Sequence, residues 1–184
     1  MGRFIKWTFL LVLAAFLIHH WWVSQPVEHG PGVVAPYDPV QTEITEPQRF
    51  EFKGYTFIPT AVFWIEARIL SRERYFIDSE AKLSPIDLAL GWGPMSDEQV
   101  LGKIKIRQSG RFYHWRVREF PIPRREIETH SANMHLIPAD RNVKKTLFRT
   151  RQGNVVRLNG HLVKIRGEGG WSWNSSMTRD DTGG

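Results

Sequence analysis

The sequence predicts a β-dominated α+β fold: an N-terminal transmembrane helix, then a small mixed or antiparallel barrel-like sheet with two or three short helices. Three observations carry this expectation. An unbroken apolar run opens the chain from Phe4 to Val23, and period-two alternation recurs from Phe50 to Trp173. Helix-start signals stand at Ser84, Ser96 and Asp140.

The apolar run is interrupted only by Lys6, Thr8 and the His19-His20 pair. At about 1.5 Å per residue it just matches a bilayer core of about 30 Å. Arg3 and Lys6 would also start a signal peptide, yet no small-x-small cleavage site follows. Trp21 and Trp22 occupy that place, and indoles settle at the headgroup level, so an uncleaved signal-anchor over 4–23 is expected. Arg3 and Lys6 precede the run, whereas 24–48 holds four acids and no Lys or Arg. The positive-inside rule then leaves residues 1–3 in the cytoplasm and places the rest outside. In a bacterium this is a single-pass inner-membrane protein with a periplasmic C-terminal domain.

Residues 24–48 carry Pro26, Pro31, Pro36, Pro39 and Pro47, and read as an acidic, semi-rigid spacer. Residues 49–184 then form one β-rich domain large enough for a core. The chain has no Cys, which excludes disulfides, thiol catalysis and zinc-thiolate sites. Its net charge of +6 divides into +2 on the anchor, −4 on the spacer and +8 beyond. That surplus favours anionic partners, of which nucleic acid is the least available outside the cytoplasm.

Within the domain, Phe50, Phe52 and Tyr55 begin one strand, and 61–70 alternates as another with Phe63, Ile65, Ala67 and Ile69 inward. Ser84-Pro85 with Asp87 and Gly91 predicts a short helix, and Ser96 with Gln99 a second that buries Val100 and Leu101. Lys103 to Arg118 turns at Ser109-Gly110 and reads as a hairpin with basic and aromatic residues interleaved. Asp140 caps a helix to about Thr150, facing Val143 and Leu147 inward. Asn159-Gly160 is the preferred two-residue turn, and predicts a hairpin over 155–165. Trp171 and Trp173, at strand spacing, close the core. A helix followed by a tight hairpin is compatible with a barrel of the OB or SH3 kind, an architectural likeness that carries no function.

The main site candidate is the polar row Ser131, Asn133 and His135 on a strand over 129–138, with Ala132, Met134 and Leu136 facing the other way. His135 would act as base or hydrogen-bonder, oriented by its neighbours. Arg111, Tyr113 and Trp115 on the basic hairpin, and Trp92 in a Gly-flanked loop, are further ligand-binding candidates. Ser175 with His135 and Asp181 could be written as a hydrolase triad, but no activating Gly-x-Ser-x-Gly context surrounds it. His130 and His135 lie on opposite strand faces and make a poor metal pair, so neither metal nor cofactor is expected.

Three functional expectations follow. The first is a non-enzymatic membrane-anchored module that binds an anionic envelope ligand or docks on an envelope protein. The alternatives are an envelope hydrolase using Ser131, His135, Ser175 and Asp181, or an OB-like nucleic-acid binder in DNA uptake or export.

Overall fold

The structure, a computed structural model, describes residues 2–77 and 79–178, with side chains described there except at 2–5, 19, 20, 22–24 and 79. Four helices occur among these residues: α1 Gly2–Ser24, α2 Glu98–Leu101, α3 Arg124–Thr129 and α4 Arg141–Arg149. The strands are β1 Val40–Glu43, β2 Phe50–Phe52, β3 Tyr55–Arg74, β4 Ile86–Gly91, β5 Ile104–Ser109, β6 Phe112–Val117, β7 Ser131–Leu136, β8 Val155–Arg166 and β9 Ser172–Asn174. The fold is a β-dominated α+β arrangement around a curled antiparallel half-barrel.

β3 is the spine of that sheet. One of its edges takes β2, β1 and β4 in turn, and the other takes β8 along almost its whole length. The order β7-β4-β3-β8-β9 results, and the curl brings the two outer strands together where the His135 and Trp173 rings lie 5.1 Å apart. Inside the curl, Phe63, Ile65, Ala67 and Ile69 of β3 pack with Ile86, Leu88 and Leu90 of β4 and Leu147 of α4. On the opposite side Ala89 and Met95 pack against Ile104 and Ile127, beneath the separate β5-β6 hairpin. A third cluster joins Phe57, Leu83 and Ile165 with Trp171 and Trp173, as the Trp-x-Trp spacing predicts.

The β5-β6 turn forms as expected, with Gly110 and Arg111 both at positive φ. A second such turn, Lys53-Gly54, joins β2 to β3. Asn159-Gly160 does not turn. β8 runs straight through it, with Asn159 opposite Trp64 and Gly160 opposite Phe63. The alternation that suggested two short strands is that of one long strand, and its face switches at a bulge where Thr60 stands between the paired Pro59 and Ala61. Pairing with β3 from Thr56 to Arg68 satisfies more backbone than a local hairpin could, and this overrides the turn preference.

The helix expected after Ser84 is instead strand β4, all six residues of which are buried. A short apolar run with both faces covered makes a central strand, and the Ser-Pro start signal is overruled by that burial. The second helix is present as α2, but its cap is Asp97, whose carboxylate accepts the Gln99 N–H at 2.8 Å. Ser96 is buried, and its hydroxyl accepts the N–H groups of Val34 and Ala35. Asp140 caps α4 as expected, through Asn142 and Val143.

Among the described residues no helix is long and apolar enough to cross a membrane. The run of α1 described with its side chains, 6–18, is 13 residues, about 20 Å at helical rise and short of a bilayer core. The transmembrane helix expected over 4–23 is therefore not found there, since its ends lie outside that run.

The Pro-rich segment read as a spacer lies along the domain. Val27 bonds to Gln152, His29 Nε2 reaches the Gly153 carbonyl at 2.7 Å, and Ala35 is fully buried. Gly153, at φ 87°, is needed here because a Cβ would meet the Val27 carbonyl. The buried Arg68 guanidinium bonds the Ser96 carbonyl and pairs with Glu98, which also accepts the His29 N–H at 3.0 Å. That N–H bond, aided by Arg68, holds the Glu98 carboxyl below its ordinary value against the opposing effect of burial. A depressed carboxylate stabilises the fold above its unfolded value and loses that contribution as pH falls through the folded one. Glu98→Gln is therefore expected to lower the melting temperature at pH 7. The gap from the parent should close as pH drops below 4.5, the ordinary value, in a thermal-melt series.

Candidate functional site

Two surfaces concentrate the chemistry: a cleft inside the curl and the outer face of the β5-β6 hairpin. A buried polar seam lies between β7 and that hairpin. The cleft has a volume of about 820 Å³. Its walls include Phe57 and Phe63 of β3, Leu158 and Leu162 of β8, and Val143 of α4. His135 lines it, as do Ser175, Ser176 and Asn159, and no Asp or Glu is among its described lining residues.

The seam contains most of the polar row read from the sequence, and it is not solvent-facing. Ser131 is 5% exposed; its hydroxyl donates to the Ile127 carbonyl at 2.7 Å and accepts the Tyr113 hydroxyl at 3.2 Å. Asn133 donates to the Arg111 carbonyl and accepts from Gln108 at 2.7 Å. These bonds fasten the hairpin to the sheet, and they occupy the groups that a ligand would need. Burial pushes the Tyr113 hydroxyl up to about 12, partly offset by its bond to Ser131.

Asp87 is the centre of the seam and is fully buried. Arg111 Nη1 lies 3.3 Å from its Oδ1, while the same guanidinium contacts Glu80 at 3.1 Å, bonds the Ser84 carbonyl and covers the Tyr75 ring at 4.0 Å. His135 Nδ1 stands 2.8 Å from Asp87 Oδ2, an ion-pair distance, but off the line that a ring N–H bond requires. Loss of solvent, and then the Asp87 charge, raise the Tyr75 hydroxyl to about 12.

Of the residues singled out from sequence, the structure joins Arg111, Tyr113, Ser131 and Asn133 in this seam, with His135 between it and the cleft. Trp115 packs under the hairpin, edge-on to Phe120 at 6.2 Å. Trp92 is a core residue, 1% exposed, with its indole N–H donated to Asp38 at 3.1 Å. Ser175 lines the cleft, but its hydroxyl accepts the Val163 N–H at 3.0 Å. Asp181 lies outside the described residues. His135 has a carboxylate neighbour in Asp87 and makes no hydrogen bond to a serine among the described residues.

The hairpin's outer face is cationic. Its exposed cross-strand neighbours are Lys105 opposite Arg116 and Arg107 opposite His114, with Phe112 beyond. None of these three cations has an ion pair among the described residues. Like charges directly opposite one another destabilise a strand pair, so this ladder opposes folding of the hairpin that carries it.

Sequence reasoning missed Asp87, Tyr75 and Glu80 as partners of Arg111. The available signal was an Asp within Ile-Asp-Leu-Ala-Leu-Gly: as a central strand, that pattern requires a buried carboxylate with a cationic partner. Searches against family models, curated proteins and solved structures return no match.

Removing one member of a buried charge pair strands the other. Arg111→Met is expected to destabilise the fold by about 3–5 kcal/mol in urea unfolding. Adding Asp87→Asn should restore part of that loss, and an equal loss in the double variant would show that Arg111 acts only by packing.

Proposed function

We propose that the protein is a membrane-tethered, extracytoplasmic binding module that docks on an anionic envelope partner through the outer face of its β5-β6 hairpin. The observation that carries this reading is the cross-strand ladder of Lys105, Arg107 and Arg116, cations without carboxylate partners among the described residues. A charge arrangement that weakens its own hairpin is useful where a complementary surface neutralises it. Exposed Phe112 extends the face with an apolar edge.

Support for the tether comes from α1. Trp7, Phe9, Leu11, Val12, Phe16 and Leu17 are each more than half exposed, on every side of the helix. A helix apolar all round needs an apolar environment, and the charge bias of Arg3 and Lys6 orients it with the domain outside. The hydrolase reading is favoured by the His135–Asp87 contact alone, and among the described residues no hydroxyl is bonded to His135.

The ladder is tested by binding to vesicles with and without anionic phospholipid, and to an anionic polysaccharide, at two salt concentrations. Each cation near an anionic surface contributes about 1 kcal/mol. Replacing all three with Ser should therefore weaken low-salt binding by roughly 100-fold and flatten its salt dependence. Unchanged binding by the triple variant would remove the hairpin from the account. A strong preference for single-stranded DNA would move it to nucleic acid.

A further inference from the structure

We infer that the cleft inside the half-barrel is a binding site for a free long-chain carboxylic acid, its chain along Leu158, Leu162 and Val143 and its carboxylate toward His135. This site is separate from the hairpin face and does not rest on it.

Size and polarity select the body of the ligand. About 820 Å³ lies within the range of roughly 300–1,000 Å³ found for small-molecule sites, and its walls come mostly from apolar side chains. Those walls remain partly exposed: Val143 is 41% accessible, and Leu158 and Leu162 are only half-buried although they belong to the inner face of the sheet. An apolar strand face left open to water inside a concave sheet gains free energy from an apolar occupant.

Charge selects the head. The lining carries no carboxylate among the described residues, and its ionisable side chain on the cleft side is His135, since Arg157 and His161 alternate with Leu158 and Leu162 and face Glu66 and Val62 on the other side of the sheet. A cationic amphiphile would find no counter-charge among these described residues, whereas an acid finds the His135 imidazole. Arg157 pairs with Glu66 on that other side, and His135 is 15% exposed beside the Trp173 ring. His135 also faces Asp87, so its nitrogen on that side is turned from the ligand, and its other nitrogen has no bonded partner among the described residues. Arg111 faces Asp87 from the hairpin, and Glu80 pairs with that same guanidinium.

The test uses the full chain in phosphatidylcholine nanodiscs and a diazirine-bearing dodecanoic acid as photoprobe, with adducts mapped by peptide mass spectrometry. Labelling is expected at 134–147 and 158–176. Unlabelled dodecanoate should compete at concentrations at least tenfold below dodecylamine. It should also compete about tenfold below decanoate, because each methylene withdrawn from water strengthens binding by roughly fourfold. Val143→Trp, a change on an exposed helix face, should reduce cleft labelling severalfold, and His135→Gln should remove most of the preference for acid over amine. The Ser variant of the hairpin cations should label normally. The inference is overturned if adducts fall only on α1, if the amine competes as well as the acid, or if Val143→Trp with unchanged circular dichroism labels like the parent. Loss of cleft labelling in the hairpin variant would overturn it too, and would assign the acid to the basic face.

Discussion

Everything in this fold depends on β8 running unbroken beside β3. β3 is 20 residues long and β8 is 12, and their register holds from Thr56–Arg166 to Arg68–Val155 with a single shift at Thr60. Two long antiparallel strands that twist together form a curved surface and not a flat one, and β4, β7 and β9 extend the curve on either side. The cleft is the hollow of that curve. Had Asn159-Gly160 turned, β8 would cover half of β3 and the wall carrying Leu158 and Leu162 would not exist.

Charge is placed in two contrasting ways. Inside, the buried ions among the described residues have opposite partners: Arg68 has Glu98, and Asp87 has Arg111. These contacts join distant parts of the chain, tying the N-terminal strap to α2 and the hairpin to the sheet. They specify how the pieces dock, and since desolvation offsets much of the attraction, packing supplies most of the stability. Outside, Lys105, Arg107 and Arg116 stand together with no such partner among the described residues. We propose that this unmatched surface ladder is where an anionic partner docks.

The sequence made local structure legible where one signal acted alone. The Gly110 turn, the Asp140 cap, the inward face of β3 and the Trp171-Trp173 pair were all readable from spacing. It misled where local preference met tertiary pairing. Asn-Gly favours a turn, and Ser-Pro a helix start, but both were overruled by a neighbouring strand that no local window contains. The polar row was found and its use was not: Ser131 and Asn133 bond to a hairpin that is adjacent only after folding. The cleft was invisible because its walls come from β3, β7, β8, β9 and α4, and seeing it requires the correct path for β8.

That path can be measured directly, because the chain has no native Cys to interfere. Val62 and His161 are exposed cross-strand partners. Cysteines placed at both positions should form a disulfide under mild oxidation, since partners about 5 Å apart fall within bonding range. Positions 158 and 161 on one continuous strand would stand about 10 Å apart and stay reduced. The opposite result, a bond between cysteines at 158 and 161 and none between those at 62 and 161, would mean that the chain turns at Asn159-Gly160, and the half-barrel with its cleft would have to be abandoned.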